Sequence, residues 1–285
     1  MASADKSFTS SGVEGFVERR RAFRRLHESG CFVLPNPWDA GSARYLQRLG
    51  FKALATTSAG CAWSSGVPDG AAGLDTTLAN IRAIVSATDL PVNADFESGF
   101  ASTPEGVASH VAACVATGVA GLSIEDSTGR AGDPLYPLPV AVERLRAARA
   151  AIDATGTGVV LVGRAECYLV GHPDALAESL TRLTAYAEAG ADVLYAPGAA
   201  TRDDIAAIVS AVAPRPVNVL VSRNTGITVA DLALLGVRRI SVGGALARAA
   251  WTAFAHAAET IATDGTFTGF DGTLGAAAIN GYLHR

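Results

Sequence analysis

A (β/α)8 barrel is the fold class this sequence predicts, and three observations carry the prediction. Short β-rich runs alternate with longer Ala-rich helical runs eight times between residues 31 and 262. The β-rich runs are continuously apolar rather than alternating, as strands of a parallel sheet covered on both faces are. No run is followed by Gly-x-Gly-x-x-Gly, the mark an open dinucleotide-binding sheet would carry. Eight units in roughly 250 residues suit a closed ring of strands.

The elements follow in order. A polar Ser/Gly-containing stretch, residues 1–12, reads as a flexible tail, and residues 13–285 read as one barrel domain with an N-terminal helix. That helix, Val13 to Glu28, carries Arg19, Arg20, Arg21, Arg24 and Arg25 and is expected to show a solvated basic face. Cys31-Phe-Val-Leu is the first strand, ended by Pro35 and Pro37, and a helix runs from about Asp39 to Leu49. Ala53–Thr57, a helix near Leu74–Ala87 and the strand Pro91–Asp95 come next. Thr103-Pro104-Glu105 opens a helix that ends near Gly118, because proline suits a first helical turn and glycine a last one. Gly121–Glu125, a helix from Pro139 to about Ala154, and Val159–Arg164 continue the alternation. Strands at Asp192–Tyr195, Val217–Val221 and Arg239–Val242 complete it, with helices near 173–189, 201–212 and 228–235 between. A last helix begins at Ala245 and carries Leu246, Trp251, Phe254 and Ile261.

Composition narrows the class of function. Hydrophobic residues are 49% and charged ones 18%, enough for a large core, and the formal net charge of -4 offers no field for nucleic acid. Lys6 and Lys52 are the two lysines against 21 arginines, and Lys52 precedes the second strand at the structural end of the barrel. That placement argues against a lysine Schiff-base mechanism. Cys31, Cys61, Cys114 and Cys167 are far apart, with no Cys-x-x-Cys, as buried thiols in a reducing cytoplasm would be. There is no apolar leader and no run long enough to span a bilayer, so a soluble cytoplasmic protein is expected.

In such a barrel the chemistry gathers at the C-terminal strand ends. Those ends read Asn36, Trp38 and Asp39; Thr56, Thr57 and Ser58; Asp95 and Glu97; Glu125 and Asp126; Arg164 and Glu166; Tyr195; and Asn218 with Ser222. Five acids from three neighbouring strands would repel one another unless a cation neutralised them. Oxygen donors without a His or Cys cluster select Mg²⁺ or Mn²⁺ over zinc. Cys167 has no histidine beside it in the sequence and reads as a buried thiol, His172 as a turn residue, and Gly243-Gly244 equally as a phosphate cradle or a tight turn.

The spelling of these segments carries a resemblance. Asp95-Phe-Glu-Ser-Gly-Phe100 resembles the D-x-[DE]-x-G-[YF] segment of the isocitrate lyase/phosphoenolpyruvate mutase superfamily. Ile124-Glu-Asp126 is similar to its I-E-D, and Gly163-Arg-Ala-Glu166 to its A-R-x-[DE]. Asn36–Arg44, Gly50-Phe-Lys52 and Gly66-Val-Pro-Asp69 fall in the same order, so the similarity covers about residues 31–245. The resemblance implies a Mg²⁺-dependent (or Mn²⁺-dependent) barrel enzyme that breaks or forms bonds beside a small 2-oxo or 2-hydroxy carboxylate through an enolate. Carried over by position, Asp95, Glu97 and Glu125 would hold the metal. Thr57, Ser58, Arg164 and Asn218 would contact substrate, with Arg164, Asp69 and Glu166 in catalytic roles. Family members commonly swap a terminal helix between subunits, which implies a homodimer or homotetramer. The lyase branches carry K-[KR]-C-G-H after I-E-D, whereas Asp126-Ser-Thr-Gly-Arg-Ala-Gly-Asp-Pro134 has no Lys, Cys or His. The leading expectation is a carbon–carbon lyase or decarboxylase. An oxaloacetate or phosphonopyruvate hydrolase and a non-catalytic oxo-acid-binding barrel are the alternatives.

Overall fold

The computed structural model describes residues 10–284. The tail expected over residues 1–12 lies outside the described residues up to residue 9, and residues 10–12 already belong to α1 (Ser10–Leu26). Eight strand-helix units follow. They are β1 (Phe32–Leu34) and α2 (Ala40–Arg48), then β2 (Leu54–Ala55) with α3 (Ser58–Ser64) and α4 (Leu74–Ala87). Next come β3 (Val92–Asp95), α5 (Pro104–Val115), β4 (Gly121–Glu125), α6 (Leu138–Ala154), β5 (Val160–Arg164) and α7 (Ala175–Glu188). The set ends with β6 (Val193–Tyr195), α8 (Arg202–Val212), β7 (Val217–Leu220), α9 (Val229–Leu234), β8 (Arg239–Ser241) and α10 (Ala245–Asp264). A 3-10 turn at Thr268–Phe270 and α11 (Ala276–Leu283) finish the described chain.

All strand pairs are parallel, in the order β1-β8-β7-β6-β5-β4-β3-β2. The ring is nearly closed. At the remaining seam the Ala55 N–H donates to the Pro35 carbonyl at 3.1 Å and Asn36 Nδ2 to the Thr56 carbonyl at 2.9 Å. The expected barrel is therefore present, with its main core between the sheet and the outer helices and a smaller one inside the ring.

The inner core explains α1. Phe23, fully buried, packs with Ala53, Ala55, Ala120, Val160 and Val162 and closes the N-terminal end of the barrel. The solvated basic face expected of α1 is present only in part. Arg20 is 8% exposed and donates to the carbonyls of Val119 and Val115, while Arg24 donates to those of Gly158 and Val159. Guanidinium groups here donate to carbonyls at a helix end and in loops under the barrel. Two helices were not anticipated. α3 is a short helix capped by the Thr57 side chain, too brief to show a period, and α11 is Ala-rich with little pattern.

Candidate active site at the strand ends

The C-terminal ends of the strands surround a cavity of about 290 Å³. Its wall includes Thr57, Ser58, Asp69, Asp95, Arg164 and Tyr195, with Trp63 and Arg248 at the rim side and Asn93, Ser123 and Arg239 from inside the ring.

Arg164, the last residue of β5, organises this wall. Its Nη1 donates to Asp95 Oδ1 at 2.6 Å, its Nη2 pairs with Glu125 Oε2 at 3.1 Å, and its Nε donates to Glu166 Oε1 at 2.9 Å. The strand register puts Glu125, Arg164 and Tyr195 side by side on β4, β5 and β6, and the guanidinium stands 5.2 Å from the Tyr195 ring centre. Burial works against the charge on Arg164, but Glu125, Glu166 and Asp95 overcome it and hold the group firmly protonated. The acids outnumber it. Burial pushes Glu125 well above the usual carboxylate range despite Arg164, and raises Glu166 in the same way. Burial, then Asp95 and Asp69, push Glu97 up to about 7.

Glu97 is set by the loop between β3 and α5. Glu97 and Phe100 have φ of 45° and 56°, a left-handed backbone that residues other than glycine rarely take. The surroundings enforce it. The Glu125 N–H donates to the Glu97 carbonyl at 3.0 Å, and fully buried Arg144 donates to the carbonyls of Ser98 and Ala101 at 2.5 and 2.9 Å. Such stored strain is common at functional sites. It leaves Glu97 Oε1 buried with no hydrogen-bond partner.

Several expected residues have engagements the sequence did not reveal. Ser58 donates from both N and Oγ to Asp95 Oδ2, at 2.9 and 2.8 Å, so it orients that carboxylate. Thr57 lines the cavity, but its hydroxyl also caps α3 by accepting from the Gly60 N–H at 3.3 Å. Asp69 reaches the cavity from the exposed loop between α3 and α4, with its carboxyl raised by burial and by Asp95. Glu166 is sealed behind Arg164 and does not line the cavity; its N–H donates to Asp126. Asn218 does not line it either. Its side chain donates to Ser241 Oγ and accepts from Arg239 Nε, because its place on β7 points it into the ring below the mouth.

Asp126 leaves the acidic group altogether. It is 3% exposed and accepts from Arg182 Nη1 at 3.0 Å and the Tyr186 hydroxyl at 2.5 Å, both from α7. The segment after it is a small pinned hairpin, with a bridge between Ser127 and Leu135 and an Arg130–Asp133 ion pair. Of the two readings of Gly243-Gly244, the turn fits the bonding, since the N–H groups of Val242 and Gly243 both donate to Asn36 Oδ1. Cys167 is buried, with its thiol pushed up to about 11 by desolvation, the reverse of an activated nucleophile. The residue that sequence reading missed is Arg239. An arginine as the first residue of an otherwise apolar strand was the available signal, since a charge there must face the inside or outside of the ring.

Asp95, Glu97 and Glu125 are the side chains that could hold a divalent cation. Among the described residues no three His, Cys, Asp or Glu gather closely enough to cage an ion unaided. Mg²⁺ does not need such a cage, because it binds through one or two carboxylates and keeps several waters. The orphaned Glu97 Oε1 and the surplus of carboxylates over guanidinium groups fit that mode.

Comparison with known proteins places this geometry. Residues 23–262 match the family profile described as phosphoenolpyruvate phosphomutase. A solved structure from Burkholderia cenocepacia J2315 superposes with TM-score 0.90 at 47% identity, covering 94% of this chain and 97% of that one. The structure of oxaloacetate acetylhydrolase in complex with the product oxalate gives TM-score 0.83 at 27% identity, over 94% of each chain. The 2-methylisocitrate lyase of Escherichia coli K12 is 37% identical over 182 residues, 61% of this chain and 60% of the lyase.

Proposed function

The chain belongs to the phosphoenolpyruvate phosphomutase family, within the isocitrate lyase/phosphoenolpyruvate mutase superfamily, and from that premise we propose that it is a Mg²⁺-dependent lyase. Its substrate is a small 2-oxo or 2-hydroxy carboxylate, cleaved or decarboxylated to leave an enolate. The observation that carries this reading is the crowd of carboxylates around Arg164: Asp95 on the cavity wall, Glu125 and Glu166 paired to the guanidinium behind it, and Glu97 raised by burial and its acidic neighbours. Asp95, Glu97 and Glu125 would hold the cation, which when bound supplies positive charge beside the oxygens of the substrate.

The residues of the chain do the rest. Arg164 uses three of its N–H directions on acids and offers its remaining N–H groups to the cavity, where a planar fork suits a carboxylate or an enolate oxygen. Ser58 holds Asp95 in place, and Asp69 approaches from the loop to orient water. Of the groups available to return a proton to the departing carbanion, Glu166 is sealed off and Tyr195 lines the cavity. Burial pushes the Tyr195 hydroxyl up to about 12, which keeps its proton available at neutral pH, and Tyr195 is the donor in this reading.

A hydrolase is the second reading, and the hairpin of residues 127–134 favours it. That segment carries no Lys, Cys or His, so water adding to the 2-oxo carbon, with the departing acetate enolate taking its proton from Tyr195, is the alternative to direct cleavage. Incubation with Mg²⁺ and oxaloacetate, isocitrate, 2-methylisocitrate or phosphonopyruvate separates the two. Pyruvate from oxaloacetate, or cleavage of a hydroxy acid, supports the lyase, and oxalate plus acetate supports the hydrolase. No turnover of any of them overturns both. Titration calorimetry should show Mg²⁺ binding lost in Glu97→Gln and Glu125→Gln, and unchanged affinity would remove the metal assignment.

The same reading includes assembly into a homodimer or homotetramer. Trp251 and Phe254 on α10 are 47% and 62% exposed, stacked edge to face 5.3 Å apart, with Phe267 and Phe270 exposed nearby.

A further inference from the structure

Arg239 is 2% exposed and makes no ion pair with any carboxylate among the described residues. It lies inside the ring at the start of β8, and it lines the cavity. Two asparagines hold it. Its Nε donates to Asn218 Oδ1 at 2.8 Å and its Nη1 to Asn93 Oδ1 at 3.3 Å, while Nη2 enters neither bond. Room for this arrangement comes from Gly121 on β4, where a Cβ would stand 2.7 Å from both Asn93 Oδ1 and the Phe23 ring. A buried guanidinium with only neutral partners is costly, so the arrangement suits an anion that arrives from the cavity.

We propose that Arg239, positioned by Asn93 and Asn218, binds the second carboxylate of a dicarboxylate substrate at the deep end of the cavity. The spacing supports it. Asp95, which bonds Arg164, and Asn93, which bonds Arg239, are two residues apart on β3. Two residues of strand cover roughly 6–7 Å, a distance a four-carbon diacid bridges between two guanidinium groups. Burial, opposed by Tyr195 and reinforced by Arg164, lowers Arg239 to about 10, so it remains charged at neutral pH and ready for an anion. The neutral residues around it, Asn93, Asn218, Ser123 and Ser241, supply hydrogen bonds without a competing negative charge. The inference rests on the substrate reading above, and it adds that one acid group is insufficient for tight binding.

The test is direct binding, with no turnover required. Calorimetry of the full chain should show succinate bound about 30-fold or more tightly than butyrate, which differs by one carboxylate. Arg239→Gln should bring the two ligands to near parity with butyrate affinity unchanged, and Arg239→Lys should fall between. Retention of the full preference in Arg239→Gln overturns the proposal, as does a wild-type protein that shows no preference. If Arg239→Gln does not fold, a crystal structure of the wild-type complex with succinate decides. The second carboxylate within hydrogen-bond reach of Arg239 supports the assignment, and its placement on Arg248 at the rim defeats it. A protein that prefers succinate but turns over no oxo acid keeps this subsite while the lyase reading fails.

Discussion

At Glu125 and Asp126 the chain leaves β4, and the alternation of side chains along a strand sends the two acids to opposite sides of the sheet. Glu125 meets Arg164 inside the ring, and Asp126 meets Arg182 and Tyr186 of α7 outside it. Neighbours in sequence should therefore fail in different assays. Asp126→Ala removes the counter-charge of a buried pair and should cost about 3–5 kcal/mol, seen as a melting temperature lower by several degrees. Glu125→Gln keeps the size of the side chain and an oxygen toward Arg164 and relieves the crowding of acids there, so it should leave melting nearly unchanged and should abolish Mg²⁺-dependent activity. Equal melting losses in both would contradict the division. Arg164→Ala should lower kcat on the order of 10²-fold or more, as removal of a charge-stabilising donor does, while Cys167→Ser retains most activity. A dead but folded Cys167→Ser would restore a thiol mechanism.

α1 illustrates an element whose work is electrostatic as well as steric. His27 near its end accepts no partner at Nε2, while its Nδ1 bonds the Phe23 carbonyl at 2.8 Å and its ring packs edge-on against Phe23 and Phe32. Burial, with help from Arg239 and Arg24, lowers its pKa to about 3 from 6.5. A base depressed on folding contributes stability that is complete above its unfolded value and is lost as pH falls toward the folded one. Melting temperature should thus fall between pH 6.5 and 4 by the equivalent of about 2–3 kcal/mol. His27→Gln should flatten that limb, and an unaltered acid profile in the variant would show that α1 does not report this titration.

For the whole molecule, the barrel places its charges by depth: α1 arginines at the closed end, Arg239 within the ring, Arg164 among the acids at the mouth. The exposed aromatic pair Trp251 and Phe254 on α10 lies outside this system, and exposed apolar clusters of this kind mark association surfaces. Light scattering at micromolar concentration should give a dimer or tetramer mass, and Trp251→Glu with Phe254→Glu should shift it toward monomer. A monomeric wild-type protein would remove the assembly reading. Among the described residues no helix is long and apolar enough to cross a membrane.

The barrel was legible because its determinants are local. Continuous apolar runs, Pro104 at a first turn and Gly118 or Gly190 after a last one act over a few residues, and the eightfold alternation needs no knowledge of neighbours. The acidic strand ends were legible for the same reason, since a strand end is a position in the chain. Their roles were settled only in three dimensions. Whether Ser58 faces a ligand or Asp95, whether Asp126 points into the ring or toward α7, and whether Glu166 reaches the cavity depend on strand register and on which helix packs behind. Arg239 is the clearest case. In sequence it is one of many arginines, and only closure of the ring makes it a buried charge beside two amides, because burial and pairing are properties of the assembled fold.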